Sequence, residues 1–387
     1  MALAADMTAV PQAIVIGGSL GGLFAGEILR SIGWRVEIYE RSTHELDSRG
    51  GGLVLQPEVL QVLRRAQVPY DTSIGVLARE RIYVDREGRI VQRQHIPQTQ
   101  TSWTSLYAAM RRHFPSSHYH QGAQLASFEQ DAAGVRAQLA DGRSAHGDLL
   151  IAADGGGSTV RQALLPEVEP SYAGYVAWRG LVEERDLPSA AAQVLVERFS
   201  FFNYPNAHIL CYMVPGAGES IAPGERRYNW VWYRNVEAAK LPALLTDREG
   251  GVRASSVPPG MLPDSGREAV YAAADRFLPP QFRSLVQATA EPFIQAIVDL
   301  KVPKMAFGRV ALLGDAAFQP RPHTAASTSK AAGNALALAD ALRGNADVLQ
   351  ALKKWEPEQL EYGEYLYRRG VELGRRSQSA YPGSTPT

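Results

Sequence analysis

The stretch Ala13-Ile14-Val15-Ile16-Gly17-Gly18-Ser19-Leu20-Gly21-Gly22 reads as a short apolar strand running into a glycine turn. Such a run of aliphatic residues belongs in a parallel sheet covered on both faces. Leu20, Leu23, Phe24 and Ile28 then recur at helical spacing, and Arg35-Val36-Glu37-Ile38-Tyr39 restores strand character before Glu40. Strand, turn, helix and strand make a βαβ unit, which predicts a dinucleotide site. Gly17 permits the tight turn, Gly18, Ser19 and Leu20 lead the backbone past the phosphates, and Gly22 lets helix and strand pack closely. The helix N-terminus offers free N–H groups to a pyrophosphate. Glu40, at the end of the second strand, is placed to accept hydrogen bonds from an adenosine ribose. Ser19 stands at the middle glycine position and weakens the signature.

With 387 residues the chain is long enough for two domains, each with its own core. Forty basic residues balance forty acidic ones, so nothing points to nucleic acid or an anionic membrane, and a small molecule is the expected partner. No apolar run approaches the roughly 18 residues of a membrane span. Met1 to Val10 lacks the basic start and apolar core of a leader, so a soluble, cytoplasmic enzyme is expected. Cys211 is the only cysteine, which excludes an internal disulfide and any multi-cysteine metal site and leaves redox chemistry to an organic cofactor. His118-Tyr119-His120 places two imidazoles on one strand face. No acid or third ligand is apparent nearby, so a solvated strand end is expected there and no metal site.

Outward from Glu40 come a polar segment from Arg41 to Arg49 and then Gly50-Gly51-Gly52, read as a close backbone approach to the same nucleotide. Helices are expected over Glu58–Ala66 and Leu106–Phe114, and a hairpin over Arg81–Val91 turning at Glu87-Gly88. Leu125–Phe128, Val135–Leu139 and Ala145–Ala152 read as strands, with Asp141-Gly142 as a hairpin turn. The last of these runs into Asp154-Gly155, which puts a carboxylate at the carboxyl edge of a sheet. From Tyr172 to about Pro303 the texture becomes aromatic strands interrupted by proline, without βαβ alternation, so a mainly antiparallel sheet covering the cofactor is expected. Gly308 to Ala317 returns to a buried strand that ends in Gly314-Asp315. Ala331–Arg343 reads as an apolar helix, Leu349–Arg376 as a charged helix broken at Pro357, and Ser377–Thr387 as a disordered tail.

Three separated pieces, Gly17–Glu40, Asp154-Gly155 and Gly314-Asp315, thus end apolar strands with groups suited to a cofactor. Their order resembles the class A FAD-dependent aromatic hydroxylases, the single-component flavoprotein monooxygenases, over nearly the whole chain. Tyr172-Ala173-Gly174-Tyr175-Val176-Ala177-Trp178-Arg179-Gly180 and the run from Gly314 to His323 are the more specific pieces and look most like the hydroxypyridine-hydroxylating branch. The resemblance implies an α/β (α+β) protein: a Rossmann-like FAD-binding domain, a mainly antiparallel substrate domain and a C-terminal helix. The expected bounds are 1–72, 105–171 and 296–348 for the FAD-binding domain and 73–104 and 172–295 for the substrate domain. A helical segment over 349–376 and a tail over 377–387 complete the chain. FAD is the implied cofactor and NAD(P)H the co-substrate, with molecular oxygen and a small aromatic ring as partners; a homodimer is compatible with it.

Residue by residue, the resemblance gives Glu40 the adenosine ribose and Arg41 the adenine or its phosphates. Asp154 is linked to both FAD and the nicotinamide donor, and Asp315 to the ribitol chain. Backbone amides near Ser327, Thr328 and Ser329 would face flavin N1 and O2 and stabilise negative charge on the reduced ring. Three positions depart from the family pattern. Phe318 replaces a frequent histidine, Ser327-Thr328-Ser329 replaces a glycine-rich turn, and Tyr107 stands where many members have an arginine. A flavin C4a-hydroperoxide is the implied oxygen donor, and it needs an apolar cover. Phe199, Phe201, Tyr212, Trp230 and Trp232 are candidates for that cover. His323 and Arg179 are the candidate catalytic residues, and His208, Tyr212, Trp230 and Pro322 the candidate substrate contacts, with His208 and Tyr212 four apart on one strand and therefore on one face. The implied reaction is hydroxylation of a dihydroxypyridine-like ring. The same chemistry on a phenol or hydroxybenzoate, with or without decarboxylation, is the alternative. An NAD-dependent dehydrogenase would leave Gly314-Asp315 without a purpose, and a non-catalytic flavin-binding protein would draw on Ser19 and the Ser327–Ser329 loop.

Overall fold

The computed structural model describes residues 10–46, 51–71, 74–345 and 347–379. The end of the polar segment, 47–50 with Gly50, and the expected tail from 380 onward lie outside the described residues. Gln12–Ile16 pairs in parallel with Arg35–Glu40 on one side and Leu149–Ala152 on the other. Val310–Leu312 and Tyr119–Gln121 extend the parallel sheet, and Ala306–Phe307 adds an antiparallel edge. Both faces of the central strands are buried, as their unbroken aliphatic runs require. Helices Leu20–Arg30 and Ser327–Arg343 share this core with a three-stranded sheet of Leu125–Gln130, Val135–Leu139 and Ser144–Gly147.

The expected strand Ala145–Ala152 is two strands in two sheets. The chain turns a corner at Gly147-Asp148, where Asp148 exchanges backbone and side-chain bonds of 2.8 Å with Gln12. A carboxylate in mid-strand thereby closes a corner around the first strand.

A nine-stranded sheet forms the second layer, in the order Ser256–Val257, Phe293–Lys301, Ser171–Glu183, Arg227–Asn235, Ala207–Val214, Arg198–Tyr204, Glu80–Val84, Ile90–Gln94; Phe318–Gln319 pairs beside Leu300 and Lys301. Pairing is antiparallel except between Arg198–Tyr204 and Glu80–Val84. The expected hairpin near Glu87-Gly88 is present, with Gly88 at φ +84°. Phe293–Lys301 lies wholly in this sheet, so the domain bound expected at 295/296 falls inside a strand. Alternation divides the sheet's side chains. Tyr228, Trp230 and Trp232 join Ile209, Cys211 and Met213 in a core beneath helices Asp264–Phe277 and Pro280–Gln287. Val231, Tyr233, Leu210 and Tyr212 face the other way.

Two helices begin earlier than their apolar periodicity suggests. Trp103–His113 starts where the Ser102 hydroxyl accepts the Ser105 N–H at 2.8 Å, and Ser327–Arg343 starts four residues before Ala331. The C-terminal helix, Val348–Ser377, runs unbroken through Pro357. Pro357 and Lys353, whose carbonyl loses its helical partner, are both exposed residues, so the helix tolerates the proline on its solvent side. Among the described residues no helix is long and apolar enough to cross a membrane.

Glycines on the inner face of this helix admit the loop that follows Asp315. A Cβ at Gly363 would overlap the Phe318 ring, and one at Gly370 would lie 2.9 Å from the Arg321 amide nitrogen. Phe318, which replaces the family's frequent histidine, is 2% exposed and belongs to the core. Gly363→Val is therefore expected to destabilise the protein by about 1–3 kcal/mol in urea unfolding. The double variant Gly363→Val/Phe318→Ala should lose less than the sum of the two single changes.

Candidate active site

At the carboxyl edge of the parallel sheet the chain makes its closest backbone approach. Gly17 has φ +100°, and a Cβ there would overlap the Ala153 carbonyl oxygen. At Gly18 a Cβ would overlap the Tyr119 hydroxyl, which donates to the Gly18 carbonyl at 2.9 Å. Tyr119 in turn lies 3.3 Å from the Tyr107 hydroxyl, and Tyr107 donates to Glu45 at 2.9 Å and stacks on Trp103. Tyr107 thus props the glycine turn from behind. Glu40 accepts the Gly18 N–H on one oxygen and the Ser42 N–H on the other, both at 2.8 Å, while remaining on the cavity wall beside Arg41. Ser19 is the N-cap of helix Leu20–Arg30 but makes no side-chain bond to it, which leaves the first N–H groups open to a ligand.

Asp154 stands at the end of the neighbouring strand. Its Oδ2 accepts the Thr159 N–H at 2.8 Å, whereas its Oδ1 is buried without a partner. Burial raises its pKa above the usual carboxylate range. Behind it, the buried Arg161 guanidinium donates to the carbonyls of Gly156 (2.6 Å) and Ala316 (3.3 Å), stapling the second strand end to the third.

That third end carries Gly314-Asp315. Ser327 Oγ donates to both Asp315 oxygens at 2.9 and 3.1 Å, Lys330 Nζ donates to Asp315 Oδ1 at 2.7 Å, and Asn334 Oδ1 accepts the Gly314 N–H at 3.1 Å. Residues 327, 330 and 334 lie on one helix face, so a single helix holds the turn. Ala325, at φ +52°, leads into this helix, whose N-cap, Ala326, also makes no side-chain bond to it. Ser327 and Thr328 line the cavity; Ser329 is 3% exposed and turns back to the Ala326 carbonyl.

These edges and the nine-stranded sheet enclose about 620 Å³, within the range of small-molecule sites. The residues fit a flavin dinucleotide. Two helix N-termini without side-chain caps, the glycine run 155–157 and Asp154 line one cavity, and Asp154 Oδ1 is buried beside it without a partner.

From the sheet side come Phe199, Leu210, Tyr212, Val231, Tyr233, Gln295 and Arg179, with Pro322 from the connecting loop. Arg179 is the only charged side chain that this sheet turns into the cavity among the described residues. Its Nη1 donates to Gln295 Oε1 at 3.2 Å, its Nε has no partner, and Gly51 passes directly over its Nη2. The expected cover residues Trp230 and Trp232 point into the opposite core, because they share the parity of Tyr228; Trp230 Nε1 donates to Thr289 at 2.7 Å and does not line the cavity. His208 shares the face of Tyr212 but, like His323, lies behind the cavity wall. Tyr233, which does line the cavity, packs 4.7 Å from each imidazole. His323 Nε2 meets the Tyr175 hydroxyl at 2.7 Å, and His208 Nδ1 accepts from Gln378 at 3.0 Å. Burial pushes His208 down to about 4 and His323 well below its ordinary value, so both are neutral at pH 7. His323 therefore sits one ring away from the role expected of it.

Lys330, Asn334, Arg161 and Gln295 were not singled out in the sequence; a lysine and an asparagine four apart, the fourth and eighth residues of an apolar helix, were the available signal. His118 and His120 have an acid that the sequence did not reveal. Both bond Glu37 on the adjacent strand, at 2.9 and 2.8 Å, and the two imidazoles draw its pKa below the usual range although burial opposes them. Among the described residues no group of three or more His, Cys, Asp or Glu side chains is arranged to hold a metal.

A family profile described as FAD binding domain-like matches residues 172–299. The 2,6-dihydroxypyridine 3-monooxygenase of Paenarthrobacter nicotinovorans is 35% identical over 366 residues, spanning 94% of this chain and 91% of that protein. The solved 2,6-dihydroxypyridine-3-hydroxylase from Arthrobacter nicotinovorans superposes with a TM-score of 0.91 at 32% identity, covering 98% of this chain and 96% of that one. A Klebsiella pneumoniae structure complexed with FAD and uric acid shares the fold at a TM-score of 0.77 and 23% identity, over 95% and 89% of the two chains. The glycine edge, the carboxylates behind it and the near full-length kinship lead to one conclusion: the chain belongs to the class A FAD-dependent aromatic hydroxylases, flavoprotein monooxygenases that consume NAD(P)H.

Proposed function

We propose that this monooxygenase hydroxylates a small dihydroxypyridine-like ring. The observation that carries the reading is Arg179, an uncompensated cation in an aromatic-walled cavity, taken with the 2,6-dihydroxypyridine specificity of the relative that is 35% identical. A half-buried guanidinium with no acid paired to it among the described residues calls for an anionic or strongly accepting ligand, and a ring oxygen that ionises easily meets that demand.

On this reading the floor holds FAD: the amides after Ser19 take the pyrophosphate, Glu40 and Arg41 the adenosine end, Asp154 and Asp315 the riboflavin side, and the amides at Ser327 and Thr328 the flavin edge. Bound FAD, reduced by NAD(P)H, would activate molecular oxygen, one atom of which goes to the ring and the other to water. The protein's own share is to hold the ring's oxygen at Arg179, stack the ring against Tyr212 and Phe199, and exclude water with Leu210, Val231 and Tyr233. Burial pushes the Tyr233 hydroxyl up to about 12, so it serves as a neutral hydrogen-bonding group and not as a base. A cytoplasmic location belongs to the same reading, since NAD(P)H is a cytoplasmic reductant.

Arg179 also suits the carboxylate of a hydroxybenzoate, which makes that the second reading. Purified, yellow protein should oxidise NADH or NADPH faster when 2,6-dihydroxypyridine is added, with one oxygen gained in the product and little hydrogen peroxide. Stimulation confined to hydroxybenzoates would transfer the assignment to the second reading. Arg179→Gln is expected to cut kcat/KM ten- to a hundredfold, the equivalent of losing a charged hydrogen bond of about 1.5–3 kcal/mol, while bound FAD stays at wild-type content. Trp230→Phe should behave oppositely: it removes the buried indole donor to Thr289 Oγ1, which keeps only its bond to the Leu285 carbonyl, lowers the unfolding midpoint, and leaves kcat/KM within about twofold.

A further inference from the structure

Lys330 is 1% exposed, one turn inside the helix whose open N-terminus faces the cavity. Its ammonium donates to Asp315 Oδ1 at 2.7 Å and to the Phe318 carbonyl. Asp315, by contrast, is 34% exposed and lies on the cavity wall. The carboxylate that meets the cofactor therefore has its counter-charge buried on the far side. No other cation pairs with Asp315 among the described residues, since its remaining bonds come from the neutral Ser327 hydroxyl.

The helix end and Lys330 act on the same region. Ser327 to Lys330 is three residues, about 4.5 Å along a helix axis. The ammonium itself lies 2.7 Å from the Asp315 carboxylate on the cavity wall, so its charge acts on that wall through Asp315. With Lys330 present, the Asp315–Lys330 pair is neutral overall; without it, a full negative charge would face the site. Phe318 lies in the short strand that joins the parallel sheet's edge to the nine-stranded sheet, so the same ammonium also fixes the loop leaving the Gly-Asp turn.

We propose that Lys330 is a positioning residue that sets FAD retention and the flavin's reduction potential by neutralising and orienting Asp315. The proposal rests on the cavity being the FAD site and is independent of which ring is hydroxylated. Reduced flavin carries more negative charge than oxidised flavin, so an unpaired Asp315 opposes reduction and an unpaired Lys330 favours it.

The test is a charge cycle on the FAD-loaded protein, read by the flavin midpoint potential in spectrophotometric redox titration and by FAD dissociation. Lys330→Met should weaken FAD binding about tenfold or more. It should also lower the potential by about 30 mV, which corresponds to a tenfold shift between the two redox forms of a two-electron couple. Asp315→Asn, which leaves Lys330 unpaired, should raise the potential. Lys330→Met/Asp315→Asn, with neither charge, should return it toward the wild-type value, and Lys330→Arg should stay near wild type. A potential unmoved by Lys330→Met, or a double variant as low as Lys330→Met, would overturn the proposal and reduce Lys330 to packing. If Lys330→Met loses FAD altogether, recovery of FAD in the double variant supports the charge argument, and loss in the double variant alongside retention by Asp315→Asn alone refutes it. Failure of dihydroxypyridine turnover in wild-type protein would remove the substrate reading and leave this cycle interpretable.

Discussion

The cavity depends on how closely backbone can approach backbone at the end of the first strand. Gly17 passes Ala153, and Gly22 passes Gly17, at separations no side chain could share. That closeness makes the floor of the site a surface of N–H groups and carbonyls, suited to phosphate and flavin edges that must come near the main chain. Side chains with charge then have to reach the floor from behind. Glu40, Asp154 and Asp315 do so, and each carboxylate is tied to backbone amides or to hydroxyl and ammonium donors. Tyr119 and Arg161 exist in this arrangement to hold strand ends at fixed spacing.

Opposite the floor, the two-residue period of the antiparallel sheet decides chemistry. One parity sends Trp230 and Trp232 into a core sealed by two helices; the other sends Arg179, Leu210, Tyr212, Val231 and Tyr233 toward the cofactor face. A single-residue slip of Ser171–Glu183 would exchange that strand's two faces and bring the Trp178 indole to where the guanidinium now stands. Arg179 therefore owes its position to sheet register as much as to its own contacts. The glycines at 51 and 52 follow from it, since Gly51 lies over Arg179 and Gly52 donates to Asn229 at 2.9 Å.

Local order was legible in the sequence and pairing was not. The strand, glycine turn and helix from Ala13 to Gly22 could be read because each residue's role is set by neighbours a few positions away. The shared face of His208 and Tyr212 followed from parity, but parity alone does not say which face meets the cavity, and Trp230 was misplaced for that reason. Glu37 was unrecognised as the partner of His118 and His120 because it lies some eighty positions away and is brought alongside only by the parallel pairing of two strands. Pro357 was read as a break because the rule that proline ends a helix ignores which side of the helix it is on; here it lies on the exposed side. Lys330 carried a signal of its own, a charge in an apolar helix, but its meaning needed Asp315 at the same point in space.

The loop from Phe318 to Thr324 joins these separate constraints into one object. Phe318-Gln319 adds a strand beside Leu300 and Lys301 of the nine-stranded sheet, while Arg321 grips Asp299 on the same strand with bonds of 2.7 to 3.2 Å. The C-terminal helix closes over the loop through glycines, and its last turn brings Gln378 to His208. Floor and roof are thus bolted together beside the cofactor edge, with neutral, buried His208 and His323 filling the joint. Neutrality there is a requirement of packing: an imidazolium in that joint would be a second uncompensated cation behind the wall that already holds Arg179. With both imidazoles neutral and Arg321 paired to Asp299, Arg179 and the Asp315–Lys330 pair are left to set the field along this side of the cavity, and both lie within a framework with little freedom to relax around them.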